Sequence, residues 1–572
     1  MTTGKRLFRN TEYFLQEITR SKIVIQALLV GIISGLLVVL FKISINELFI
    51  FIQKLCAQLS NIHKWIIFPL ITAAGGLISG LLVFKIAPET KGSGIPYVKM
   101  TMARMGNMTR IRSILVKFFA GVAGIGTGMS LGREGPSVQL GAGAGALVGR
   151  LFKMKGAQQD KLIASGAGAA IGATFNAPIA GTVFVLEELV QKFTPSLLFP
   201  VLVATVSAAT FARHFLGSNP SFTIPQVQSE INLEIITVCI ILGITAGIFG
   251  VLFSKVIFLN NALFDRLNRI PNWAKPAIAG FITGCLGLII PYILGSGNLS
   301  VDMLLAHKFP ILVVFVIFIA KFFITPICFG SGAAGGIFLP MLMLGSFLGY
   351  LIGSIANLIG FHTNPLIFAI LGMGAFLSAV ARTPITAVVM VFEMTGGYSH
   401  ILLIMLSAAI ADLTAERFNQ KPIYASLIVN QNTKSGDAKI LTDLKVKDYM
   451  STDVITFTPD MTICEAEKAI DTYQYKVYPI INNNKKLLGI ISKYDIEDAF
   501  FQGNPSNTTI NKIMNPSPVV ISDGKNLYTA YFRLHCNNID KLPVVDKNNK
   551  LQGIISREDI HSAVETIKKE AI

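Results

Sequence analysis

The chain has 572 residues, 52% of them apolar or aromatic and only 14% charged, where soluble domains carry about 25% charge. A single soluble globule is excluded. The net charge of +16 is uneven: residues 1–435 hold 32 Lys+Arg against 15 Asp+Glu, and residues 436–572 hold 17 against 18. An apolar, basic membrane part therefore precedes a water-soluble tail.

The basic excess reads as Lys/Arg in cytoplasmic loops. With no basic stripe interleaved with aromatics, nucleic acid is not an expected partner. Six cysteines stand far apart without a CxxC, and seven histidines show no HExxH pairing. Neither a disulfide framework nor a metal site is expected.

Residues 1–22 include Lys5, Arg6, Arg9, Arg20 and Lys22. They are too long and polar before the first apolar run, and lack a small-residue cleavage site, so they read as a cytosolic leader rather than a signal peptide. Eleven apolar stretches then run from residue 23 to 414, and crossing a bilayer takes about 20 such residues per helix. Several stretches are interrupted by Gly, Pro or an acid. A broken helix at membrane depth survives only where its freed backbone is buried in protein or lines a watery cavity, so the breaks predict a permeation path.

Along this region, Gly92-Ser93-Gly94-Ile95-Pro96 places a small hydroxyl between glycines, able to donate to an unhydrated ion; alone it reads as a turn. Gly132-Arg133-Glu134-Gly135-Pro136 places a carboxylate in a glycine-rich membrane segment. On insertion scales that costs about 2.5–3.5 kcal/mol, which makes function its default reading; the alternative is a structural ion pair with Arg133. Pro136 suits a first helical turn, so Glu134 is expected just ahead of a helix N-terminus, where unpaired N–H groups attract negative charge. A free anion would compete for that pocket, and protonating Glu134 would release it.

The glycines from Gly166 to Gly172 imitate a dinucleotide fingerprint, but no strand precedes them; close helix packing in the membrane is expected instead. Phe175-Asn176-Ala177-Pro178 leads to Glu187 and Glu188. The pattern then repeats: residues 132–145 match 336–349 at an offset of 204, and Gly166 to Glu187 match Gly372 to Glu393 at 206. Two homologous halves follow, about 23–215 and 230–430, and proteins built so place their site where half-helix N-termini meet at the repeat interface. Glu187 is echoed by Glu393 and reads as structural. Glu188 faces Met394 in the comparison; its alternative reading is a solvated helix-end charge. In the second half Gly336-Ile337-Phe338-Leu339-Pro340 offers N–H groups without side-chain charge, and Tyr424 a phenol that alone reads as interfacial.

After a linker at 431–445 a second repeat appears at an offset of 64, with Gly489, Ser492 and Asp495 echoed by Gly553, Ser556 and Asp559. Short β-branched runs (VITFT, VYPII and LLGII; then PVVIS, LPVV and LQGII) alternate with amphipathic stretches, so two small α/β modules are expected, at 446–500 and 501–572.

GSGIP, GREGP, GSGAAGGIFLP and the late Tyr424, in that order, resemble the CLC family of chloride channels and proton-coupled chloride antiporters over about residues 23–430. The resemblance implies a polytopic, mainly α membrane protein built as an inverted repeat of broken helices, assembled as a homodimer of independent pores in membrane lipid. It implies chloride held by the hydroxyls of Ser93 and Tyr424 and the N–H groups of Ile337 and Phe338, with Glu134 as external gate and Glu188 as internal proton glutamate. By the same resemblance, Ser93 looks like the chloride-preferring form.

The tail resembles a pair of CBS domains, and such pairs commonly bind adenine nucleotide; Ser492, Asp495, Ser556 and Asp559 are the candidates, although many pairs serve only as dimerising struts. No cofactor is required. CBS pairs are cytosolic, which puts both termini in the cytoplasm, and the modest length points to a bacterial cell membrane. Two acids on one path favour exchange of chloride for protons. A passive chloride channel gated by Glu134 is the alternative, and a CBS-based nucleotide sensor or enzyme a remote one, as no nucleophile, metal cluster or phosphate loop supports catalysis.

Overall fold

The offset of about 204 in the sequence becomes a one-to-one correspondence of helices. A computed structural model describes all residues except 1, 103–107, 109, 155, 192, 194, 223–231, 307–308, 398–399, 433–440, 474, 476, 493, 497–498, 500–507, 537–538 and 571–572. Two units result, Met1–Tyr424 and Ala425–Ile572. Most of the linker thus lies outside the described residues.

In the first unit the leading half supplies α1 (Thr2–Ala57), α2 (Asn61–Leu81), α3 (Ile95–Met102), α4 (Ile111–Gly126), α5 (Glu134–Leu151), α6 (Ala157–Phe175), α7 (Pro178–Phe184) and α8 (Pro195–Leu216). The second half answers with α9 (Leu233–Arg266), α10 (Lys275–Ile289), α11 (Asn298–Leu305), α12 (Ile311–Gly330), α13 (Phe338–Ile359), α14 (Pro365–Ala381), α15 (Pro384–Thr395) and α16 (Ile401–Arg417). Tyr424 stands in the first turn of α17 (Ile423–Asn432). The leader does not stand apart, since α1 runs through it.

Six helical segments among the described residues are long and apolar enough to cross a membrane. The others are pieces. The apolar stretch 111–150 divides into α4 and α5 around GREGP, 161–190 into α6, α7 and a π-helical turn Val185–Val190, and 365–396 into α14 and α15. At about 1.5 Å per residue, the eight-residue α3 rises only about 12 Å, too short to cross a bilayer by itself.

Glycine sets how closely these pieces pack. A methyl on Gly141 would strike the carbonyl of Gly166, and one on Gly345 the carbonyl of Gly372. Backbones of α5 and α6, and of α13 and α14, therefore touch in the same way, as small-residue membrane interfaces allow.

The second unit holds α18 (Ile463–Tyr473), β1 (Val477–Ile481), β2 (Leu487–Ser492), β3 (Ile521–Ser522), α19 (Leu527–Cys536), β4 (Lys541–Val545), β5 (Leu551–Ser556) and α20 (Arg557–Glu570). Strand β1 pairs antiparallel with β2, and β4 with β5, while β3 runs parallel to β4. VITFT falls short of a strand: only Phe457 bridges, to Ile480. The two modules exchange their leading segments. Met450 packs against Gly553 and Met514 against Gly489, with backbone bridges Ser451 to Ile554 and Asn515 to Ile490.

Candidate functional site

The two motif loops meet at their glycines. Gly132 donates to the carbonyl of Gly336 at 2.7 Å and Gly336 donates back at 2.6 Å, which fixes the starts of α5 and α13 against each other. The GSGIP loop joins them: Gly92 donates to the Ala333 carbonyl and Gly335 to that of Gly92. Gly135 must be glycine here, because a methyl would run into the Oγ and carbonyl of Ser93.

Glu134 is the first residue of α5 rather than the one before it, and its side chain is fully buried. Its Oε2 accepts the N–H of Leu339 at 3.4 Å, so the carboxylate lies at the N-terminus of α13, the helix of the other repeat. There the first N–H groups, those of Ile337 and Phe338 among them, have no carbonyl one turn back to bond. Arg133 Nε stands 4.0 Å from Glu134 Oε1, too far for a hydrogen bond; the local ion pair is loose.

Ser93 Oγ and Tyr424 OH are buried and have no hydrogen-bond partner among the described residues, as is Glu134 Oε1. Two inward hydroxyls left so would each cost about 1–3 kcal/mol, unless a species in transit accepts from them. Phe338 lies against the rings of Phe175 and Phe184, giving the site an apolar wall. Tyr424 is within electrostatic reach of both Glu134 and Glu188. Ser93, Glu134, Ile337, Phe338, Tyr424 and Glu188 thus belong to one buried region.

Glu187 and Glu188 are neighbours with different work. Glu187 accepts the N–H groups of Ile385 and Thr386 at 3.1 and 2.6 Å, capping α15. Glu393 returns this to Ile179 and Ala180 of α7 at the same distances. Glu188 points elsewhere: it is buried and meets the ammonium of Lys99 at 2.6 Å, so it is not a solvated helix-end charge.

Two further cations escaped the sequence reading. Lys117 and Lys321 are both fully buried. Lys117 donates to the carbonyls of Thr90 and Gly92 at 2.8 and 2.6 Å, and Lys321 to those of Ile293 and Gly295 at 2.9 and 2.7 Å. Each Nζ thus bonds the carbonyl of the first glycine of a Gly-Ser-Gly turn, at 92–94 and at 295–297, and the carbonyl two residues before it.

In the tail, Ser492 and Asp495 bond each other: Asp495 Oδ2 accepts both the N–H and the O–H of Ser492 at 2.7 Å. Ser556 and Asp559 repeat the arrangement at the same distances. These are reciprocal caps on helix starts, with the second carboxylate oxygen left for other contacts.

Comparison with known proteins agrees with this architecture. The profile of the voltage gated chloride channel family matches residues 75–416, and that of the CBS domain matches 446–501 and 510–566. The chain is 34% identical over 424 residues to the H(+)/Cl(-) exchange transporter ClcA of Vibrio parahaemolyticus, covering 72% of this chain and 90% of that protein. The chain belongs to the CLC family.

Among solved structures, a slow cyanobacterial Cl−/H+ antiporter superposes with a TM-score of 0.69 at 31% identity, over 72% of this chain and 98% of that one. A eukaryotic CLC transporter shares the fold at 19% identity, with a TM-score of 0.66 over 95% of this chain and 98% of its own. This CLC chain is therefore a membrane protein with a CBS pair, and its relatives are transporters. The missed lysines had a signal in the sequence: Lys117-Phe118-Phe119 recurs as Lys321-Phe322-Phe323 at the same offset of 204. A charge inside each of two apolar runs, at matched positions, marks buried structural work.

Proposed function

We propose that this protein exchanges chloride for protons across a bacterial cell membrane, as a homodimer with both termini in the cytoplasm. The observation that carries the reading is the carboxylate of Glu134 at the N-terminus of α13, in a buried region that also holds the unpartnered hydroxyls of Ser93 and Tyr424. Chloride takes hydrogen bonds from Ser93, Tyr424 and the N–H groups of Ile337 and Phe338. The ionised Glu134 side chain competes with it for the positive end of the helix; once protonated, it gives up the seat. One acid thus passes a proton in one direction as anions pass in the other.

Glu188 separates this from passive conduction. A second buried acid on the same region gives protons a stopping place that a channel with a gating glutamate does not need. The names of the relatives, an exchange transporter and an antiporter, support the same choice. The CBS pair regulates transport from the cytoplasm, with adenine nucleotide as the candidate ligand at Ser492, Asp495, Ser556 and Asp559. In sealed liposomes, an imposed chloride gradient drives protons uphill through the exchanger. Chloride flux that never moves a proton would establish the channel instead.

A further inference from the structure

Lys99 and Glu188 form a contact ion pair at 2.6 Å, with their side chains 10% and 1% exposed. Lys99 lies in the last turn of α3 (Ile95–Met102), which begins two residues after Ser93. Helix α3 therefore carries the chloride-facing hydroxyl just before its start and the partner of the proton glutamate near its end.

The charges acting on Glu188 are Lys99 and, beside it on its own turn, Glu187. The phenol of Tyr424, from α17, is within electrostatic reach. Of the other helices packed against this turn, α7 has no ionisable side chain and α6 has Asp160 and Lys161 in its first turn. Glu187 is tied to the start of α15, so it repels Glu188 without moving toward it. Among the described residues, Lys99 alone pairs with Glu188 directly.

Resting on the exchange reading, we propose that Lys99 is the counter-ion that holds Glu188 ionised, and that a proton arriving from the cytoplasm must break this pair before Glu188 can carry it. Lys99 is a positioning residue. It sets the inside pH at which protons load, and its place on α3 ties that event to the helix that presents Ser93. Without it, Glu188 is a carboxylate buried next to another carboxylate, which favours its protonated form. Loading then becomes easy and unloading hard.

The test is the inside-pH dependence of chloride-driven proton movement by the full-length protein in liposomes, compared for wild type, Lys99→Met, Lys99→Gln and Lys99→Arg. An opposite charge at this range shifts a carboxylate by about 1–3 units, so Lys99→Met and Lys99→Gln move the midpoint at least about one pH unit upward. Lys99→Arg, which keeps the charge, stays near wild type. A purely structural lysine would lower the rate at every pH and leave the midpoint in place. That outcome, or an equal shift in Lys99→Arg, overturns the proposal while the exchange reading stands. Should Lys99→Met fail to fold, the Gln and Arg variants decide between the same results. Wild-type protein that moves chloride but no protons would instead remove the exchange reading, and this proposal with it.

Discussion

Glu134, at the start of α5, takes its hydrogen bond from Leu339, in the first turn of α13. The acid of one repeat is seated on the helix of the other. The mutual bonds of Gly132 and Gly336 hold the two helix starts against each other and so support this cross-repeat seating. Position 338, which matches Glu134 in the second repeat, is Phe338, so only one side of the pseudo-symmetric pair carries a titratable side chain at this position.

The division of labour between adjacent glutamates is directly testable. Glu188→Gln is expected to stop proton movement while chloride still moves. Glu187→Gln weakens a charged cap on α15, and should lower stability by about 1–2 kcal/mol with the ratio of protons to chloride unchanged. Parallel chloride and proton fluxes, with thermal unfolding in detergent, separate the two.

Gly135→Ala is expected to push α3 away from α5, since the new methyl would run first into the Oγ and carbonyl of Ser93. Overpacking of this kind costs about 1–3 kcal/mol, and the displaced Ser93 should weaken chloride binding about tenfold or more, which is 1.4 kcal/mol or above by the usual conversion. Calorimetric titration with chloride measures this loss.

Lys321→Met strips the carbonyls of Ile293 and Gly295 of their side-chain donor, and Lys117→Met strips that of Thr90, while the Gly92 carbonyl keeps the N–H of Gly335. Unsatisfied groups cost about 1–3 kcal/mol apiece, so both variants should unfold at clearly lower temperature. Because Lys117 shapes the turn that carries Ser93, its variant should also lose chloride affinity more than Lys321→Met does, in the same titration.

The broken-helix architecture was legible from the sequence because the cost of exposed backbone in lipid forces every Gly- or Pro-interrupted apolar run toward a buried interior, and GREGP and GIFLP marked two such ends. Glu134 announced itself for the same reason, as a charge where charge is expensive. The partner of each group was not legible. Lys99 lies 89 residues from Glu188, and nothing local to either predicts the contact. Similarly, Ser492 and Asp495 read as ligand groups, yet their mutual bonds show that the same i, i+3 spacing first serves a helix start. VITFT had strand composition, but with a single bridge to Ile480 its neighbours lack the pairing that a strand needs.

Glu465, at the exposed start of α18, offers a pH test in the tail. The N–H and O–H of Thr462 hold its carboxyl below the ordinary glutamate range. A lowered folded value means the cap contributes fully above the unfolded value of about 4.3 and is lost as pH falls through the folded one. Protection of the first-turn amides of α18 against hydrogen exchange should hold from neutral pH down to about 5 and decline below it. In Glu465→Ala the protection should be lower at neutral pH and should lack this decline.

In the proposed exchange, competition between the Glu134 carboxylate and chloride for one seat at the start of α13 is the decisive step. Its most direct test is chloride affinity measured by calorimetry across pH for wild type and Glu134→Gln. Wild-type affinity is expected to rise as pH falls, and Glu134→Gln affinity to be high and independent of pH. A Glu134→Gln protein that kept the wild-type pH dependence would contradict it.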